Sequence, residues 1–552
     1  MVAGLRHGFS SVCILCMNHL LPAAFKYDVE GFPVRSDNTR FFQFQSVLFL
    51  TSLVLTGCGG GGVVQAPAPV PAPAPVITSA GTDFYLTLPD HLCVSVPASC
   101  NNAPVANKLI VAAATATTGE VTFNGVISPF SVAAGGETVI TLDPAVVLTT
   151  NERVEAKGIH VTAVSPVSVH VVSENSTSAD GYLALPTPGL GTNYYVMSYA
   201  STRYSGSEFA VVATQNATTV SITPNAAGAT KPARAAFTVL LNIGETYQFA
   251  NPANADMTGT LVTADKPIAM FSGHRCADIP SGVGYCDYLV EQLPDVSVWG
   301  KTFHTSPLSG RARYTVRVIA SQNGTTFTTM PAGLIAGTLN AGQFADVVLT
   351  GAGEFVSSNP VLLAQFMRGY ADDTAAKGDP SMVLVTPAEM GTTEATFGVH
   401  GLARTTGIFM NVVTETTALA TLKFDNVAVN PALFAPMGGT SIYSAGTIPV
   451  AAGAHSLLGT VPFSALVYDF GVSWDAVSYA YPVATRLSWP AAASAPTPTS
   501  TTSSTGCETD SHSEAQQSEG QHPFNGLEHS EQTRDADQSL YGTENDDSDE
   551  CH

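Results

Sequence analysis

Basic residues are scarce in this chain. Its 552 residues hold 22 Lys and Arg against 44 Asp and Glu, a formal net charge of −22 at pH 7. No Lys/Arg stripe offers itself to a phosphate backbone, so nucleic acid is not an expected partner. Charged residues of either sign make up only 12% of the chain, against 45% hydrophobic. That composition supports buried cores rather than a solvated, unfolded polymer.

Catalytic signatures are also missing. There is no HExxH zinc motif and no GxSxG nucleophile elbow. Trp299-Gly300-Lys301-Thr302 contains the GKT of a phosphate loop, but Asp295 stands where its first glycine belongs and no helical pattern follows. Gly189-Leu190-Gly191 lacks the third glycine of a dinucleotide fingerprint, since Tyr194 occupies that place. Asp372, Asp373 and Asp379 could offer oxygen to a hard cation, but their spacing fits no calcium loop. His304, His400 and His455 stand isolated and read as surface or hydrogen-bonded strand residues. The chain is therefore expected to be non-enzymatic, without cofactor or metal.

No long apolar run reaches the roughly 20 residues of a membrane-spanning helix. Val47–Leu55 is apolar over about half that length, follows Arg35 and Arg40, and leads into Leu55-Thr56-Gly57-Cys58. A positive region, a short apolar region and small residues make an export signal. Its ending resembles a bacterial lipobox, in which the cysteine is acylated, so Cys58 is the expected lipidation site. GGGGVVQAPAPVPAPAPV follows as an extended, semi-rigid tether. Residues 1–57 read as the signal region, in which 1–33 are an over-extended start with Val34 as the true one. Residues 58–78 are the acylated Cys and tether, and the membrane is a partner through the lipid. The expected location is the cell envelope, at the outer membrane and surface-exposed, since Gly59 lacks the Asp that often marks inner-membrane retention.

The remainder divides by composition. Residues 79–490 are rich in Val, Ala, Thr, Gly and Pro, whereas 491–552 form a Ser/Thr/Pro stretch and an acidic tail. The tail holds 13 Asp/Glu and one Arg, so it supplies −12 of the net charge and is expected to be disordered.

No sustained helical period occurs in 79–490, and the block repeats itself. LIVAAATATT (109–118), FAVVATQNATT (209–219), YTVRVIASQNGTT (314–326) and IFMNVVTETT (408–417) share an aliphatic run closed by a Thr pair. Each reads as a hairpin with the polar pair at or beside its turn. A second marker follows in each: PVSVHVVSE, PIAMFSGHR, PVLLAQFMR and PFSALVYDF, beginning at Pro166, Pro267, Pro360 and Pro462. The marker intervals are 101, 93 and 102 residues. Pro is expected to open the marker strand, where no ladder N–H is missed. The fold class is all-β, about four tandem repeats of roughly 100 residues, each sandwich-like. A closed, propeller-like ring is the alternative.

GTDFYLTLPDH, GYLALP with LGTNYYVMSYAS, SEFAVVATQNATTVSITP, MTGTLVTADKPIAMFSGHRCADIP, YCDYLVEQLP with WGKTFHTSPL, and AQFMRGY with GDPSMVLVTP carry a resemblance. Over about residues 80–485 the chain resembles the IgGFc-binding protein N-terminal domain family. That resemblance implies extracellular, β-rich, non-enzymatic modules and supplies no catalytic set.

Export favours disulfides. Pairing by nearness joins Cys93 with Cys100 and Cys276 with Cys286; a zinc site from His274, Cys276, Cys286 and Asp287 is the competing reading. Loops after the marker strands (173–181, 272–287, 368–380 and 469–479) hold equivalent places in the repeats. The longest carries the candidate ligand-binding residues His274, Arg275, Asp278, Tyr285, Asp287 and Tyr288. Whether that loop braces its unit or binds an extracellular protein or glycan stays open at this level. A structural spacer of the cell surface is the other functional reading, and a hydrolase with an unrecognised site a third.

Overall fold

A computed structural model describes residues 76–489, apart from 373–376, 406 and 472–476. The signal region, Cys58, most of the tether and the acidic tail lie outside the described residues. Among the described residues no helix is long and apolar enough to cross a membrane.

Four β units follow one another, built to one plan. The second shows it in full: a lead strand Gly191–Tyr195, a second strand Ser207–Ala213, a third Thr218–Thr223, then Phe237–Leu241 and Thr246–Ala250. A long strand Leu261–Asp278 and a last strand Cys286–Leu293 complete it. The first half of the long strand pairs with the lead and third strands; its second half pairs with the second and last strands. Ile159–Glu174, Gly353–Met367 and Gly453–Phe470 are the long strands of the other units.

The marker prolines lie inside these long strands rather than at their start. Pairing with the lead strand jumps from Thr162 to Val167, Thr263 to Ile268, Val356 to Val361 and Leu458 to Phe463. Each jump contains the marker proline. A proline is tolerated there because the strand bends and changes partners, so no ladder N–H is lost. For the same reason the expected hairpins are corners. The second and third strands both pair with the long strand, one after the other, and not with each other. The first Thr of the pair stabilises the corner: Thr218 Oγ1 donates to Gln215 O and Thr325 Oγ1 to Gln322 O, both at 2.8 Å. Ala217 and Gly324 take positive φ at the same place, 52° and 69°.

Why the second strands read as unbroken apolar runs becomes clear from what they touch. Leu109, Val111 and Ala113 enter the core of the first unit, while Ile110 enters that of the fourth. Phe209, Val211 and Ala213 line the second core, and Val212 the first. Val316 and Val318 face their own core, and Ile319 that of the second unit. In the fourth unit, Asn411 Nδ2 donates to Ser306 Oγ and Pro307 O of the third, both at 2.9 Å. A strand buried on both faces loses the polar–apolar alternation of a half-exposed one. Each large aliphatic buried this way contributes about 1.5–3 kcal/mol relative to exposure.

These seams run first to fourth, second to first, third to second and fourth to third, which closes a ring. The ends of the described body are sewn together: Ser79 N–H donates to Thr485 O and Leu487 N–H to Ile77 O, both at 2.8 Å. The all-β, four-repeat reading holds, with each unit a curled sheet around its own core and the units arranged in the closed manner.

The last strands, Ala179–Leu183, Cys286–Leu293, Ser381–Leu384 and Ser478–Pro482, stand at the centre and pack on one another in a cycle. Except for Cys286 at one end, all their residues are buried. We refer to them as the axial strands.

Candidate binding face

Four carboxyls lie along the axis. Asp180 is fully buried and accepts backbone N–H bonds from Val290 and Met382, each at 3.2 Å, and from Ala480 at 3.4 Å. One side chain thereby reaches the axial strands of the three other units. Asp287 accepts from Ala179 N at 2.8 Å and Ser478 N at 3.2 Å, and Glu291 from Leu384 N at 3.0 Å. Asp379 accepts from Tyr370 N at 3.4 Å and donates its own N–H to Ser478 Oγ at 2.9 Å. Burial holds Asp180, Asp287 and Glu291 well above the usual carboxylate range and pushes Asp379 up to about 8. These groups are committed to tying the ring together, and none is exposed to a substrate.

The loops before the axial strands meet at one end of the axis. Gly369 N–H donates to Ile279 O at 2.7 Å, joining the third loop to the second, and Gly378 N–H to Gly471 O at 3.2 Å, joining it to the fourth. Tyr285 and Tyr370 meet edge to face at 5.6 Å across the first of these joints. Ser178 Oγ, from the first loop, accepts Tyr288 N–H at 3.1 Å. The described parts of these loops thus join into one plate. Each loop between lead and second strand flanks it: Gly282 lies 3.7 Å from Thr202 Oγ1, measured from where its Cβ would stand. Thr405 bridges to Gly471, and Arg311 Nη2 donates to Arg368 O.

The residues expected in loop 272–287 are distributed unevenly over this plate. The long strand continues to Asp278 and the axial strand begins at Cys286, leaving 279–285 as the loop. Cys276 and Cys286 are bonded across its base, as are Cys93 and Cys100 in the first flanking loop, with Cα–Cα distances of 5.2 and 5.3 Å. The disulfide answers the choice between thiol–zinc and disulfide at this place. His274 is buried, with Nδ1 accepting Cys276 N–H at 2.9 Å, and burial lowers it to about 3, so it is neutral. Arg275 donates through Nε to Ser205 O at 2.7 Å and lies 3.7 Å from Asp90. Asp278 accepts from Ser201 and Thr202 hydroxyls and Gly282 N–H. Tyr288 is buried against His91, with its hydroxyl donating to Pro89 O at 3.0 Å. Of the six, only Tyr285 is exposed.

Other singled-out groups have partners as well. Asp372 accepts from Arg313 and Arg368, His304 faces Glu354 at 3.2 Å, and His455 faces Asp425 at 2.7 Å. His400 meets Glu174 at 3.0 Å. Among the described residues no three His, Cys, Asp or Glu side chains come together as a metal shell; Asp373 lies outside them.

The plate also carries residues that the sequence reading passed over. Arg203, Arg313 and Arg404 are exposed on the flanking loops and Lys377 on the third axial loop. An arginine within a few residues of the second strand in three of the four repeats was the available signal. It went unread because those loops are far in sequence from the marker loops.

At the other end of the axis, Leu183, Trp299, Phe303, Leu384 and Leu487 line a cavity of about 50 Å³. That is about a third of the roughly 150 Å³ of an apolar cavity known to take benzene.

Comparison with known proteins adds a lineage. The human IgGFc-binding protein is 27% identical over 275 residues, which is 48% of this chain but 5% of that protein. The chain therefore spans a small part of its relative's length. Among solved structures, a Ca2+-stabilized adhesin with which an Antarctic bacterium reaches out and binds ice aligns at 11% identity. That alignment covers 74% of this chain and 99% of the adhesin, with a TM-score of 0.11. A tetra-tandem repeat from the extending region of a large adhesion protein aligns at 10% identity over 68% and 92%, with a TM-score of 0.10. The family assignment comes from sequence. The signature described as IgGFc binding protein matches residues 180–468, more than half of the chain and most of the ring. This chain belongs to the IgGFc-binding protein family.

Proposed function

We propose that this chain is a non-catalytic binding protein of the cell envelope, held by acylated Cys58 and the tether to the outer membrane, with its plate turned outward. One observation carries this. The axial strands all run from the plate to the opposite end, and there the last leads into Val483–Trp489, which is paired with residues 77–79. Residues 77–79 and 485–487, the two ends of the described body, thus lie together opposite the plate, which supports an outward-facing plate. Binding residues concentrate on loops held by a rigid scaffold, and this plate is braced by two disulfides and the axial hydrogen bonds.

The same geometry disfavours a spacer. A module that adds length needs its ends on opposite faces, whereas here they are adjacent. The partner is an extracellular protein or glycan; the relative's name makes Fc one protein to include.

The test is a glycan and glycoprotein array, with IgG Fc among its spots, probed with the chain and with Y285S/Y370S. Both tyrosines lie at the plate, so the variant should fold and lose the signal. A signal that survives unchanged moves binding off the plate. The anchor is checked by labelling with a fatty-acid analogue: incorporation that persists in Cys58→Ser overturns acylation there.

A further inference from the structure

The seam between the third and fourth units encloses two adjoining cavities. The larger, about 60 Å³, lies beside His304 of the third unit's lead strand, Gly300–Thr305, and is lined by Val413, Glu415, Tyr443, Phe463 and Ser464 of the fourth. The smaller, about 20 Å³, shares His304, Val413 and Ser464 with it and reaches Gln365. Glu415 ends the strand Ile408–Glu415, whose other end follows the flanking loop, so this slot lies a strand's length from the plate.

Its residues are fixed from both sides of the seam. Glu415 and Tyr443 are opposite one another in an antiparallel pair of the fourth unit, and His304 and Glu354 in one of the third. The Tyr443 ring packs on the His304 ring, with 4.1 Å between centroids. Glu354 Oε2 accepts the Ser441 hydroxyl at 2.6 Å and meets His304 Nε2 at 3.2 Å. Glu389 Oε2 accepts Thr302 N–H at 3.3 Å. Glu415 and Tyr443 are both partly exposed.

The field at this place is negative. Burial raises the Tyr443 hydroxyl, and Glu415, Glu389 and Glu354 raise it further, so three carboxyls act on one point. His304 does not offset them, because burial lowers it and keeps the ring neutral. Aromatic and aliphatic walls beneath carboxylates suit a cation carried on an apolar stem. By the same measure of volume a water needs about 10–15 Å³, so the larger cavity takes roughly four groups of that size and the smaller one water. Gln365 Nε2 donates to Ser306 O at 3.0 Å, while its Oε1 is buried without a partner among the described residues. A buried acceptor of this kind favours a ligand that brings donors, directly or through a water.

We infer that the slot binds a primary alkylammonium group, as carried by a lysine side chain or a small free amine. Glu415 pairs with the ammonium by a charge-assisted hydrogen bond, and Val413 and Phe463 cover its methylenes. This site is separate from the plate and does not rest on it.

Saturation-transfer NMR of n-butylammonium with the full chain is the test, with n-butanol and butyltrimethylammonium as neutral and quaternary controls. Transfer to butylammonium and little to either control is expected. Glu415→Gln should weaken binding roughly fivefold, the upper worth of an exposed ion pair. Ala388→Leu, which narrows the larger cavity without touching a charge, should abolish it, and Glu120→Gln, exposed on the first unit, should leave it unchanged. Displacement of butylammonium by Nα-acetyl-lysine methylamide supports a lysine side chain as the source; binding of butylammonium without such displacement supports a free amine. Absence of transfer to butylammonium overturns the inference, as does equal transfer to butanol or to the quaternary ion. Equal weakening by Glu415→Gln and Glu120→Gln also overturns it, in favour of a response to net charge alone. None of these outcomes bears on the plate.

Discussion

Asp287 Oδ1 accepts the backbone N–H of Ala179 at 2.8 Å, although the two residues are 108 apart in sequence and belong to different units. Together with Asp180 it converts four loosely similar sheets into one closed body. An N–H at the centre of a ring of strands has no water to turn to, so the carboxyl oxygens complete the ladder that the converging axial strands cannot.

Removing that acceptor should therefore be costly. Asp180→Ala leaves three buried N–H groups without partners, each worth about 1–3 kcal/mol. The expected loss of stability is at least 3 kcal/mol, with Asp180→Asn less affected because one oxygen remains. Urea unfolding of the two variants checks this; a loss under 1 kcal/mol for Asp180→Ala would mean the hub is not structural.

The same groups make stability depend on pH. Burial raises Asp379 to about 8 and Asp180, Asp287 and Glu291 well above their usual range. The folded state thus keeps protons that the unfolded state releases near pH 4, and the contribution is lost as pH rises through the folded values. Buried His91 and His274, lowered to about 3, and His170, to about 4, act oppositely. They cost stability below about pH 6.5, where the unfolded histidines charge. Between pH 7.5 and 9 the unfolded histidines are neutral as well, so the unfolding free energy should fall, on the order of 1 kcal/mol from Asp379 alone. Melting temperatures across that interval that rise instead would contradict this.

At the seam of the second and third units, Arg317 is buried between Asp256 and Asp346, with contacts of 2.6 and 2.7 Å. It also stacks over Tyr199 and Phe344, at 4.6 and 4.2 Å from the ring centroids. Arg317→Ala removes one partner of a buried pair, and such breaks cost roughly 3–5 kcal/mol. Arg317→Lys should recover little, since an ammonium cannot serve two carboxylates and two rings at once. Recovery of most of the loss by Lys would show that charge alone holds the seam.

The Cys276–Cys286 bond closes a separation of 10 residues at the base of the second plate loop. Its removal as a Cys→Ser pair should lower stability by about 2–3 kcal/mol on the chain-entropy account. Hydrogen exchange is the sharper readout: the loss should concentrate in 279–285. Uniform faster exchange around the whole ring would mean that the bond braces the body and not the plate.

Much of the fold was legible because its causes are local. The Thr-Thr pairs mark real corners: in the second and third units the first Thr, five residues past the end of the second strand, caps the corner on a carbonyl three residues back. The marker prolines recur because all four long strands bend at the same place. Both disulfides follow from nearness in sequence. By contrast, period-2 reasoning turned corners into hairpins, because two strands that follow one bent partner alternate just as a hairpin does.

The site was less legible. His274, Arg275, Asp278, Asp287 and Tyr288 were singled out for their chemistry, yet His274, Asp278, Asp287 and Tyr288 are buried and Arg275 is spent on Ser205 and Asp90. A polar residue in a loop pattern looks the same whether it meets solvent or the backbone of a unit 100 residues away. By itself the sequence determined an all-β chain of four repeats, low in charge and stapled at two loops, because periodicity, turn chemistry and cysteine spacing act over a few residues. Only the tertiary structure decided that the repeats close, that Asp180, Asp287, Glu291 and Asp379 turn inward along the axis, and that residues 77–79 and 485–487 lie opposite the plate. Those outcomes depend on contacts between units, which no short stretch of sequence encodes.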